Sequence, residues 1–164
     1  MKKQVEKVAT TKGQIKAISV SKQKGTQKAN VPRAELQADF GIIGDAHAGN
    51  WHRQVSLLGL ESINKMVSKG AKVSPGSFAE NITTEGIATV ALKVGSKLRL
   101  GNEVELTITQ SGKRCHKNCE ILKQLGDCIM PIEGIFAKVT KGGIINVGDT
   151  IEVIDDKSGY IDSQ

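Results

Sequence analysis

Leu92-Lys-Val-Gly95-Ser-Lys-Leu98-Arg-Leu100-Gly101-Asn102-Glu-Val104-Glu-Leu-Thr-Ile-Thr-Gln110 reads as two strands of alternating apolar and polar residues joined at Gly101-Asn102. A period of two sends successive side chains to opposite faces of a pleated strand, and a Gly-Asn pair between two such runs signals a hairpin. The pattern recurs on both sides of it. Residues 4–10 and 14–21 are β-compatible runs, the second with Ile15, Ala17 and Ser19 against Lys16, Ile18 and Val20. Ser21 to Lys28 is polar and reads as a hairpin loop in which Gly25 supplies a positive φ. Arg33 to Phe40 alternates again, with Ala34, Leu36 and Ala38 on one side. Residues 75–87 give a turn, a short strand and a second turn, and residues 134–140 and 149–154 are strands around Gly142-Gly143.

Helical spacing is confined to two places. Leu57, Leu60, Ile63, Met66 and Val67, with Ser56 as N-cap and Glu61 in the early turns, predict a helix over residues 58–69 closed by Gly70. Residues 118–125, with Cys119, Ile121, Leu122 and Leu125, predict a second, ended by Gly126. About eight strands against two short helices imply a mainly β protein. An antiparallel β-barrel with a few short helices is the expected architecture, because closure removes exposed strand edges. One domain over residues 1–164 is expected, with its core at about 13–153 and a polar, frayed tail at 155–164.

Charge narrows the function classes. The first thirty residues hold eight lysines and one glutamate, while the rest of the chain holds fifteen basic residues against sixteen acidic ones. The excess of positive charge is therefore local and almost purely lysine. It lacks the aromatic interleaving that stacks bases, so no nucleic-acid partner is expected. No apolar run approaches the roughly 20 residues of a membrane span, and Met1-Lys-Lys-Gln-Val-Glu-Lys-Val has no apolar stretch behind its basic residues. A cytoplasmic protein with no membrane association is the expectation. Three cysteines in such a chain suggest free thiols or metal ligands rather than a disulfide framework.

The chemistry-bearing stretches are few. Ser111-Gly-Lys-Arg-Cys115-His-Lys-Asn-Cys119 sets two thiols and an imidazole among Lys113, Arg114 and Lys117, and nearby positive charge stabilises a thiolate. Cys115 is the candidate functional thiol. Cys119 lies four residues on and reads equally as a second ligand at the same centre or as a helix-core residue. Cys128, beside Ile129 and Met130, reads as packing. Cys115, His116, Cys119 and Cys128 supply the four ligands that a structural zinc needs, but at a spacing that matches no zinc-finger pattern. The second stretch, residues 41–54, carries Gly44, Asp45, His47, His52 and Arg53 in a polar loop of functional length.

In their order along the chain these stretches resemble the MOSC domain, the family related to the C-terminal domain of molybdenum-cofactor sulfurases. Four blocks carry the resemblance: Gly41-Ile-Ile-Gly-Asp45-Ala-His47-Ala; Arg53-Gln-Val-Ser-Leu-Leu with Glu61; Gly76-Ser-Phe-Ala-Glu80-Asn81-Ile-Thr-Thr-Glu-Gly86-Ile; and Val94-Gly-Ser-Lys-Leu-Arg-Leu-Gly101 running on to Gln110 and Cys115. It covers about residues 13–153 and is nearest in style to the short, stand-alone bacterial members.

The resemblance implies a β-barrel whose pocket binds the molybdenum cofactor, a molybdenum-pterin, or carries sulfur for it. Cys115 is then the residue that ligates molybdenum or holds a persulfide, with Cys119 as a second candidate ligand. Gly44, Asp45, His47, Arg53, Glu80, Asn81, Gln110, Lys113 and Arg114 are the candidate pocket residues. Arg53, Lys113 and Arg114 suit the pterin phosphate, and backbone N–H groups of the loop around Gly44 could serve the same anion. Gln110 suits the pterin amide edge. The expected partners are cofactor-biosynthesis proteins or molybdoenzymes. Two further readings are a molybdenum-dependent reductase of N-hydroxylated compounds and a zinc- or Fe–S-stabilised interaction module. The family's Pro-Arg-x-Pro-Cys run is replaced here by Ser111-Gly-Lys-Arg-Cys115, and the N-terminal barrel domain of the long reductase members is absent from these residues.

Overall fold

Where apolar and polar residues alternate, the chain is extended. The computed structural model describes residues 11–112 and 129–155. Its strands are β1 (Thr11–Val20), β2 (Ala29–Val31), β3 (Arg33–Gln37), β4 (Gly41–Ile42), β5 (Val55–Gly59), β6 (Ile82–Ile87), β7 (Lys97–Leu100), β8 (Val104–Ser111), β9 (Ile135–Lys141), β10 (Gly143–Asn146) and β11 (Thr150–Asp155). The helices are α1 (Leu60–Ser68), α2 (Met130–Glu133) and a 3-10 turn at Thr89–Ala91. The expected strand at 4–10, the helix at 118–125 and the tail at 156–164 lie outside the described residues.

Seven strands close a barrel in the order β1-β6-β5-β9-β8-β7-β11, with β11 returning to β1. The β7–β8 hairpin has the expected register, Leu98 opposite Leu106 and Leu100 opposite Val104, all four fully buried. The barrel pairings are antiparallel except β5–β6, which run parallel with Leu57 opposite Ile82. That exception follows from α1, which lies between them in the chain and provides the crossover that parallel strands require. A smaller sheet, β10-β3-β4, folds beside the barrel.

Two apolar clusters result. One fills the barrel with Ile15, Leu57, Ile82, Leu98, Leu106, Ile135 and Ile151 among others. The other packs α1 and α2 against the outer face of β5 and β9 through Leu58, Ile63, Met66, Phe78, Met130 and Phe136. With both faces covered, all five residues of β5 are buried.

Several local expectations change. Ser56 is no N-cap: it sits within β5, where its N–H and hydroxyl donate to Asn81 Oδ1 at 3.0 and 3.2 Å. The helix instead starts at Leu60 behind Gly59, which offers no side-chain cap. Ile18, expected opposite Ile15, is as fully buried as Ile15, because a register shift in the β1–β6 pairing between Ile15 and Ala17 re-aims the strand. Gly41 and Ile42 pair with β3, so the polar loop begins at Ile43. The expected positive φ at Gly25 is present at 74°.

Candidate functional site

Two loops meet at one end of the barrel, the β1–β2 loop (residues 21–28) and the β4–β5 loop (residues 43–54). Their joint is a buried ion pair. Lys28 Nζ lies 2.7 Å from Asp45 Oδ1, and neither side chain is exposed to solvent. Asp45 also organises the backbone around it. Its Oδ1 accepts the Ser21 N–H at 3.1 Å and its Oδ2 accepts the His47 N–H at 3.0 Å. Gly44, with φ at 95°, allows the turn that aims the carboxylate inward. Burial works against the carboxylate charge, yet the Lys28 ammonium at 2.7 Å and the His47 backbone N–H at 3.0 Å hold Asp45 well below the ordinary carboxylate range.

His47 Nδ1 lies 3.1 Å from Lys28 Nζ. The His47 carbonyl accepts the Trp51 indole N–H at 2.7 Å, and the two rings are nearly parallel with centroids 6.4 Å apart. Trp51 in turn faces two cations, Lys24 at 4.6 Å and the Arg53 guanidinium at 4.7 Å from its ring centroid. Arg53 also lies 5.5 Å from the Phe136 ring. Its Nε is buried with no hydrogen-bond partner among the described residues. Arg53 is thus held by aromatic faces, with a buried donor that the described residues leave unused.

The loop is tied to the barrel on its far side. Gln54 donates to the Gly49 carbonyl at 3.0 Å and accepts the Val139 N–H at 3.0 Å. Thr109 Oγ1 donates to the His52 carbonyl. His52 Nε2 lies 2.8 Å from Gln110 Oε1, and Gln110 Nε2 donates to the Gly112 carbonyl at 2.7 Å. Gln110 and Arg53 are thus brought to the end of β8, from which the chain runs on, three residues past Gly112, to Cys115.

Glu80 and Asn81 sit deeper, each with no exposure to solvent. Glu80 accepts the Gly76 and Phe78 N–H groups at 2.7 and 3.1 Å and the Thr83 hydroxyl at 3.1 Å. Burial raises its pKa, and those donors oppose the shift. Asn81 bridges β5 and β1, accepting from Ser56 and donating to the Ser19 carbonyl at 3.1 Å. Their polar atoms are spent on the protein's own backbone and hydroxyl groups.

Gly44, Asp45, His47, Arg53 and Gln110 therefore share the loop end of the barrel, while Glu80 and Asn81 brace the wall behind it. Lys113, Arg114, Cys115, Cys119 and Cys128 lie outside the described residues. Among the described residues no group of three or more His, Cys, Asp or Glu could hold a metal ion. Sequence reasoning missed Lys28, Trp51, Gln54 and Phe136. Only Trp51, as the single tryptophan and within the polar loop, carried a signal that could have marked it.

Among the described residues the chain is a closed β-barrel with a polar, arginine-bearing loop cluster at one end. The chain belongs to the MOSC domain family, whose model matches residues 44–152. That family is associated with the molybdopterin cofactor. Solved structures share the fold. The YUAD protein from Bacillus subtilis superposes with a TM-score of 0.74 at 20% identity, over 87% of this chain and 95% of that one. YiiM from Geobacillus stearothermophilus gives 0.66 at 19% identity, over 87% and 75% of the two chains. YiiM from Escherichia coli gives 0.61 at 17% identity, over 87% and 70%. No curated protein matches the chain. Among the described residues no helix is long and apolar enough to cross a membrane.

Proposed function

We propose that the protein binds a molybdenum-pterin cofactor at this loop cluster and serves as its carrier or as a sulfur-transfer protein, with Cys115 ligating the metal or carrying the sulfur. The observation that supports this is Arg53. Its buried, unpartnered Nε and its seat between Trp51 and Phe136 fit the terminal phosphate of such a cofactor. The bound group would supply a redox-active, sulfur-ligated metal centre. The chain's own part is to hold the phosphate at Arg53, with Lys113 and Arg114 as further cations. Gln110 offers amide contacts at the end of β8, and a deprotonated Cys115 offers a soft donor. Glu80 and Asn81 act by keeping β1, β5 and the residue 76–80 turn in place. The acceptors would be cofactor-biosynthesis proteins or molybdoenzymes.

The test is elemental and pterin analysis of protein purified anaerobically from a cofactor-producing host. Wild-type protein should contain molybdenum and pterin, and Cys115→Ser should lose the metal. Full retention in that variant overturns the ligand role. A charge-assisted hydrogen bond contributes about 1.5–3 kcal/mol, so Arg53→Ala should weaken cofactor affinity roughly ten- to a hundredfold.

A further inference from the structure

We propose that Lys28 is a positioning residue for His47. It fixes the imidazole with Nδ1 unprotonated and facing the ammonium, and with the proton on Nε2, so that the site meets its ligand with a neutral hydrogen-bond donor. Among the groups around Lys28 Nζ are Asp45 Oδ1 at 2.7 Å, Ser21 Oγ at 2.9 Å and His47 Nδ1 at 3.1 Å. An ammonium offers hydrogens and no lone pair, so in the 3.1 Å contact with Lys28, Nδ1 is the acceptor. Asp45 Oδ2 also faces Nδ1 but stands 3.8 Å away, beyond hydrogen-bond reach. A fully buried amine this close to a fully buried carboxylate carries its charge. A neutral imidazole has one ring proton, and with Nδ1 bare that proton is on Nε2.

The outward nitrogen is available. Among the described residues Nε2 of His47 has no hydrogen-bond partner, and the side chain is 18% exposed. Its ring stands beside Trp51, the same indole that faces Arg53. An oxygen acceptor of the ligand, such as a carbonyl or a phosphate, would suit this donor. A metal ion at Nε2 would first have to displace the proton. Lys28 thereby sets what His47 offers without reaching the ligand itself, and it joins the β1–β2 loop to the site.

The identity of the ligand rests on the proposed cofactor reading, but the tautomer does not, and the two are tested apart. Protein labelled with 15N-histidine and free of cofactor is measured by long-range 1H–15N correlation at neutral pH, with His47 assigned by its absence in His47→Gln. The expected spectrum is the Nε2–H pattern, with the Nδ1 resonance displaced from that of a free lone pair by its hydrogen bond. An Nδ1–H pattern, a doubly protonated ring, or a free lone-pair position for Nδ1 overturns the proposal. Lys28→Arg, also a pure donor, should keep the pattern. Lys28→Met combined with Asp45→Asn, which removes both buried charges, should move His47 to an exchanging mixture of tautomers, and an unchanged pattern there overturns the assignment to Lys28. For the donor role, His47→Gln should keep cofactor content near wild type while His47→Leu lowers it severalfold. Equal content in both, with loss in Cys115→Ser, leaves the cofactor reading standing and sinks the donor role.

Discussion

Lys28 and Asp45 are two charges taken wholly out of water, and their pairing is what makes that tolerable. Removing one partner strands the other, at a cost of about 3–5 kcal/mol, whereas removing both together is often nearly neutral. Lys28→Met should therefore destabilise the protein by about that amount in urea unfolding. The double variant with Asp45→Asn should recover most of the loss, and additive losses would show that the pair is not coupled. The acid limb has a definite sign. Asp45 is held below its ordinary value of about 3.9, so as pH falls the unfolded chain takes up this proton first. The carboxylate's contribution is complete above about pH 5 and fades as pH falls below about 4. The stability gap between wild type and Asp45→Asn should narrow over that range when unfolding is followed at successive pH values. At this scale the sequence was half legible. Asp45, His47 and Arg53 stood out as polar groups in one long loop. Lys28 did not, being one of eight lysines in the first thirty residues, and nothing local marks the one that the fold buries seventeen positions from its carboxylate.

Elements declare themselves when their reason is local. The β7–β8 hairpin was readable because alternation and turn lie within nineteen consecutive residues. The start of α1 was not. Ser56 has the chemistry of an N-cap, but Asn81, from the other end of the βαβ unit, engages its N–H and hydroxyl in β5. The parallel β5–β6 pair was hidden for the same reason, since it depends on where the helix between them packs. β1 shows the clearest long-range demand. Gly13 lies where β1 pairs with β11 and β6 at once, and a Cβ there would stand 2.2 Å from the Glu85 carbonyl oxygen. Backbone cannot yield as a flexible side chain does. Gly13→Ala should cost about 1–3 kcal/mol, read as a fall in melting temperature of roughly 2–4 °C for each kcal/mol. Lys12→Ala, at an exposed neighbouring position, should change stability by no more than about 0.5 kcal/mol. A Gly13→Ala protein as stable as wild type would show that the seam is not tightly closed.

For the whole molecule, closure joins the early chain to the late chain, and the site depends on it. The loop cluster draws on residues 21–28, 43–54, 109–112 and Phe136, which are far apart in sequence and meet only because the barrel fixes the ends of the strands that carry them. The closing pair sets Lys12 opposite Glu152 and Gln14 opposite Thr150, with β7 on the other edge of β11. Without β11, both β1 and β7 would present unpaired backbone, and the barrel core would lose Ile151, which is fully buried. Unpaired edges also invite association with other chains. A chain ended after Gly148 should therefore lose its cooperative urea transition and associate on concentration. A chain ended after Asp155 retains every described strand and should keep the transition. The same pair of truncations separates scaffold from site. If the loop cluster needs the closed barrel, the shorter chain should retain neither molybdenum nor pterin, while the longer one retains both at the wild-type ratio. Cofactor held by the shorter chain would mean that the loops bind it without the barrel, and the site would have to be redrawn on local segments alone.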